Sequence, residues 1–241
     1  MNYKGILFFL GIYSLFISFF SFLNILYSYY FNSISNLGSY IICLIVSLIF
    51  GLCFCLFGRK NNKNISLSDQ IILILLSFIF IPLLICIPYF LSVYDFNFLN
   101  SYFESISGFT TTGFSIIKNN DKIDEPLLLW RSSSQWLGGL FFLIATIGTL
   151  GSKQAKIKPS YLISSETIGG NFYNNFNYNF IRVLLIYFFS TVFVIFLYSL
   201  ANIRLLDSLN LALTVISSGG FLAKNLLSDI AINKTQLFIL S

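Results

Sequence analysis

Three consecutive threonines, Thr110, Thr111 and Thr112, are followed by Gly113 in the uncharged stretch SISGFTTTGFSII at 105–117. Hydroxyl and backbone carbonyl oxygens suit a hard cation and offer little to zinc or copper. A glycine closing the run permits the backbone turn that aims carbonyls at a common axis. The pattern returns about a hundred residues on. With Gly113 set against Gly220, NSYFESISGFTTTGF from Asn100 runs without a gap alongside DSLNLALTVISSGGF from Asp207. In this alignment Asn100 and Asp207 stand as N-caps of two short helices, Thr111 meets Ser218, and Phe114 meets Phe221. A half-length helix directs the negative end of its dipole toward whatever lies past its last turn, and an extended strand there offers carbonyls that replace an ion's water shell. The chemistry expected of the two stretches is cation coordination by backbone carbonyl and hydroxyl oxygens.

Elements that hold such strands must be long and apolar. The chain of 241 residues is 56% hydrophobic and only 10% charged, with a mean hydropathy of +0.83. Those values exclude a soluble globular domain and indicate an all-α integral membrane protein. Apolar runs long enough for a bilayer core cover 5–31, 39–57, 71–94, 136–151 and 183–201, the third interrupted by Pro82 and Pro88, and a sixth begins at 236–241. The first run lacks a small-residue cleavage site after it, and it reads as a retained helix. Basic residues set the orientation. Arg59, Lys60 and Lys63 follow the second run and Lys153, Lys156 and Lys158 the fourth, which places both loops and the N-terminus with Lys4 in the cytoplasm. The segment 95–125 must then leave from and return to the outer face. An outer loop or a re-entrant loop satisfies this, and the capped, aromatic, glycine-terminated sequence favours re-entry.

Other residues narrow the function class. Histidine is absent, which removes His-based acid/base chemistry and His-ligated metals and argues against an enzyme. Cys43, Cys53, Cys55 and Cys86 fall inside apolar runs and favour neither a metal site nor a disulfide. The net charge of +5 is a topology signal and implies no nucleic acid. Arg131, near the start of a helix, either snorkels to the outer surface or pairs with Glu104 and braces the strand. Glu104 fits a brace better than an ion ligand. Gly138 and Gly139 allow close helix packing, Trp130 and Trp136 read as interfacial anchors, and Phe114 and Phe221 read as packing that holds the two strands. The polar, Asn-rich tract 152–179 lacks a phosphate-binding glycine pattern and reads as a cytoplasmic connector.

Taken together, FESISGFTTTGF at 103–114, EPLLLWRSSSQWLGGL at 125–140 and TVISSGGF at 214–221 resemble the Trk/Ktr/HKT superfamily of potassium transporters, in particular its TrkH-like membrane subunits. The resemblance implies a fold of helix, pore-loop, helix repeats as in potassium channels, four in a whole subunit around one K⁺ pathway. On this sequence it implies an N-terminal helix pair at 1–65, a first repeat at 66–158 and a second at 159–241 whose last helix only begins. It further implies potassium uptake across a bacterial inner membrane, no cofactor beyond the transported ion, contact with membrane lipid, homodimerisation, and control by a cytoplasmic nucleotide-binding subunit. The filter residues it carries over are Thr111, Thr112 and Gly113 in the first repeat and Ser218, Gly219 and Gly220 in the second. Ser217 and Ser218 replace the usual threonine-containing pair, and Lys224 stands four residues past Gly220. An alternative reading, opened by the incomplete second repeat, is a non-conducting scaffold or remnant of a transport complex.

Overall fold

Seven α-helices and one short 3₁₀ turn make up the computed structural model, which describes residues 2–59, 66–150 and 172–223. Helices α1 (Tyr3–Tyr30) and α2 (Leu37–Gly58) form an antiparallel pair. Their backbones come close because Gly11 faces the Cys55 backbone and Gly51 faces Leu15, where a Cβ would collide. Buried hydroxyls on this pair return to backbone carbonyls, Ser14 to Leu10, Ser28 to Asn24 and Ser21 across to Tyr40 at 2.7 Å. That leaves an apolar exterior suited to lipid.

Helix α3 (Leu67–Phe90) starts at a capping box in which Ser66 and Asp69 satisfy each other's orphan groups. It runs through both Pro82 and Pro88 rather than stopping at them. A proline removes the N–H that would serve the carbonyl four residues back, so Pro88 frees Leu84. The Cys43 thiol of α2 donates to that carbonyl at 3.4 Å. Neighbours also donate to nearby α3 carbonyls: Tyr102 to Ile79 at 3.1 Å and Trp130 to Ile85 at 3.1 Å. One proline-freed carbonyl and two others thus make α3 an acceptor for three surrounding elements.

Helix α4 (Phe98–Phe109) is short, about 18 Å at 1.5 Å per residue. Its N-cap is Asn97, whose side chain accepts from Asn100 N–H, so Asn100 lies inside the helix and the expected cap is displaced by one turn. Helix α5 (Glu125–Leu150) packs against α1, α3, α4, α6 and α7 and forms the centre of the bundle. Every side chain from Trp130 to Phe141 is buried. Helix α6 (Phe172–Leu200) is followed by the short α7 (Leu205–Ser217). The N-cap of α7 is Arg204, and Asp207 sits in the first turn instead of capping it.

Among the described residues, four helices are long and apolar enough to cross a membrane: α1, α2, α3 and the 181–200 part of α6. The fourth apolar run, expected at 136–151, is the second half of α5, which starts eleven residues earlier. Its first half is polar because it is enclosed by protein. The expected connector at 152–179 is shortened, since α6 is already helical from Phe172. Lys60, Lys63, Lys153, Lys156, Lys158, Lys224 and the run at 236–241 lie outside the described residues.

The duplicated unit is visible in the torsion angles. Asp95 and Asn202 enter the two short helices at φ 52° and 57°, Thr111 and Ser218 leave them at 55° and 56°, and Gly113 and Gly220 follow at 80° and 82°. The same interval in sequence separates each pair and separates the starts of α4 and α7.

Candidate functional site: two strand segments after the short helices

Both short helices end in the same hydrogen-bonded cap. Thr112 N–H reaches back to Ser107 and Thr111 N–H to Gly108; Gly219 N–H reaches Thr214 and Ser218 N–H reaches Val215. This double pattern requires a left-handed residue, the place where glycine is usual. Here it is filled by Thr111 and Ser218. A β-branched residue in that region is strained, and the penalty is accepted at the point where a hydroxyl is presented. The Thr110 hydroxyl donates to Ile106 O at 2.7 Å and lies 2.7 Å from the Thr112 hydroxyl. Since Thr110 has one proton to give, Thr112 is the donor in that pair, and its own oxygen keeps its acceptor capacity.

The two caps rest on adjacent glycines of α5. A side chain at Gly138 would collide with the Phe109 backbone at the end of α4, and one at Gly139 would press on Ser217 at the end of α7 and on the Tyr187 hydroxyl. Below them Phe109 joins Phe78 and Phe141 in an aromatic cluster, with centroids 5.8 and 5.2 Å from Phe109. Past the caps, the segments touch: the Gly219 carbonyl occupies the space where a Gly113 side chain would stand.

An ion pair buried to 3% and 1% exposure braces this arrangement. Arg131 and Glu104 meet at 3.0 Å. Arg131 also donates from Nη1 to Asn120 Oδ1 at 2.8 Å and from Nη2 to Ser115 Oγ at 2.9 Å, and its guanidinium lies 4.4 Å from the Phe221 ring centre. Glu104 in turn accepts from Ser115 Oγ at 2.9 Å and from Ile116 N–H at 3.1 Å. Asn120 extends the network to Leu222 O at 2.9 Å. A buried pair persists only when its remaining lone pairs and protons are satisfied, and here they are. Of the two roles open to Arg131 in the sequence, the brace is the one found. Glu104 faces the brace, as expected.

Gln135, fully buried, was visible only as a letter of the QWLGGL motif. Its Nε2 donates to Gly219 O at 2.5 Å and its Oε1 accepts from Phe221 N–H at 3.2 Å. Thr112, Ser218 and Gly220 are exposed and Thr111 and Gly113 half-buried, whereas Gly219 is buried with its carbonyl turned to Gln135. Phe221 packs as expected. Phe114 differs, at 69% exposed, because nothing in the described residues covers it. Trp130 and Trp136 are core residues, not interfacial anchors: Trp130 donates to the α3 carbonyl of Ile85, and Trp136 donates to Thr191 Oγ1 at 2.9 Å on α6.

The far end of α5 is tied by Asp124, which accepts from Ser33, Asn36 and Tyr94 at 3.2, 3.0 and 3.0 Å. Burial pushes the Tyr94 phenol up to about 12, so it stays a donor. Arg204 pairs with Glu125, and that bond raises the guanidinium further above its usual range.

Comparison with known proteins follows from this geometry. The TrkH family, described as cation transport protein, matches residues 33–226, from the loop before α2 through both strand segments. The chain belongs to the TrkH family. Among its relatives, an uncharacterized cation transporter of Methanocaldococcus jannaschii is 30% identical over 74% of this chain and 38% of its own length. The Trk system potassium uptake protein TrkI of Halomonas elongata is 33% identical over 34% of this chain and 17% of its own. The crystal structure of the potassium transporter TrkH from Vibrio parahaemolyticus aligns with 100% of this chain and 48% of that one, at a TM-score of 0.78 and 18% identity. This likeness shows the fold. The chain thus spans less than half the length of these proteins.

Proposed function

We propose that the chain supplies two filter segments of a potassium-uptake pathway across the plasma membrane, with Thr111, Thr112 and Gly113 in one and Ser218, Gly219 and Gly220 in the other. The observation that carries the reading is the pairing of two short helices that end in matching left-handed caps and bring Gly113 and Gly219 into contact. Carbonyl and hydroxyl oxygens at such a junction replace the hydration shell of a cation at little cost in reorganisation. The relatives named as potassium uptake proteins support K⁺ as the ion. Flux is passive through the filter and driven by the membrane potential. The N-terminus is cytoplasmic in this reading, the pathway is completed by two further segments, and a second copy of the subunit and a nucleotide-binding regulator are partners.

The test is K⁺ uptake by cells that lack their own uptake systems and express the whole gene product. Gly113→Ala and Gly220→Ala should each abolish uptake at unchanged membrane abundance, because both need a positive φ and Gly113 has no room for a Cβ. Undiminished uptake in both variants overturns the proposal.

A further inference from the structure

Gln135 spends its side chain on the opposite repeat. It stands on α5, which closes the first unit, yet its side-chain amide bonds to the strand of the second, on either side of Gly220. Gly219 lacks a side chain where the Gln135 amide lies, and the Gly219 carbonyl abuts Gly113. The same carbonyl therefore both accepts from the Gln135 amide and meets the first strand segment.

We propose that Gln135 is a specificity-determining positioning residue, whose amide holds the Gly219 carbonyl against Gly113, sets the spacing between the two segments and withdraws that oxygen from the ion's ligand set. The inference rests on the filter reading above. Discrimination among alkali cations depends on cage size or on the number and field of the coordinating oxygens, and Gln135 acts on both. A residue that only filled space behind Gly219 would need neither a donor nor an acceptor. Gln135 uses one of each, on groups two residues apart in one strand. Arg131 performs a different task, since it touches the Phe221 ring and not the strand's backbone polar groups.

The experiment measures K⁺ and Na⁺ flux through the purified whole gene product in liposomes. Gln135→Glu keeps the shape but sets a carboxylate oxygen against the Gly219 carbonyl, and Gln135→Met keeps the volume without the hydrogen bonds. Each should lower the K⁺/Na⁺ ratio about tenfold, the scale of one or two lost buried hydrogen bonds, while total cation flux persists. A third protein carries phenyllactate at position 221, which replaces the N–H that Gln135 accepts by an ester oxygen and leaves every side chain in place. The ester also weakens the Gly220 carbonyl, so a shift in the same direction counts for Gln135 only together with that of Gln135→Met, whereas an unchanged ratio counts against it. A wild-type ratio in the ester protein and in Gln135→Met overturns the assignment of Gln135 while leaving the filter reading intact. If the wild-type whole gene product passes neither ion, the filter reading falls, and the Gln135 assignment falls with it.

Discussion

Removing the guanidinium of Arg131 would strand the Glu104 carboxylate in a buried site with only the Ser115 hydroxyl and the Ile116 N–H. Breaking one partner of a buried pair costs about 3–5 kcal/mol. Arg131→Met should therefore lower the unfolding midpoint of the solubilised protein sharply, and Arg131→Lys should not rescue it, because an ammonium cannot serve Glu104, Asn120 and Ser115 in one plane. A Lys variant with the wild-type midpoint would refute that account. Thr111 offers a change of opposite sign. At φ 55° a glycine relieves about 1 kcal/mol of strain, so Thr111→Gly should raise or hold the midpoint while removing a hydroxyl from the segment. A lowered midpoint would show that the threonine side chain stabilises more than its backbone costs. At this scale the sequence was partly legible. The hydroxyl and glycine positions follow from residue type, but Arg131 and Glu104 are far apart in the chain and local spacing does not say whether they meet. Gln135 was harder still, because its partners are backbone groups of another repeat and leave no trace in residue type.

Gly138 and Gly139 show how an element can act as a seat. Each admits one short helix end, and both belong to the same turn of α5. Gly138→Ala should reduce both stability and uptake, since its Cβ would meet the Phe109 backbone, which cannot move without moving the cap. Gly38→Ala, where nothing lies within 4 Å, serves as the control and should change neither. Equal behaviour of the two variants in thermal unfolding would sink the seat model. The helices themselves were legible from apolar runs, and the alignment of the two copies was right in register. Their caps were not: NFLN offers two asparagines a turn apart, and the first wins because its side chain can accept from the N–H of the second. Trp130 and Trp136 were misplaced for a related reason. An indole N–H at a membrane surface and one serving a carbonyl or hydroxyl inside a bundle are the same residue in sequence, and only the α3 carbonyls and Thr191 reveal the second case.

Across the molecule, the N-terminal pair is joined to the repeat units at Asp124, where the loop after α1, the start of α2 and the segment after α3 converge. Asp124→Ala removes three acceptor contacts. It should cost about 1–3 kcal/mol and expose the α1–α2 loop to protease, as read by limited digestion. An unchanged digestion pattern would mean that helix packing alone holds the pair. The architecture was legible as a whole because the repeat constrains it twice. Its asymmetry was not, since the alignment that matches Gly113 with Gly220 sets Glu104 against Leu211, a buried apolar residue, so the second copy has no carboxylate at that place. Its strand is held instead by Gln135, Arg131 and Asn120, all of which precede it in the chain. That order bears on biogenesis. During synthesis α5 leaves the ribosome well before α7, and a 13-residue helix is only marginally stable by itself. The second short helix is thus born onto a finished template, and an error in α5 is inherited by a segment not yet translated.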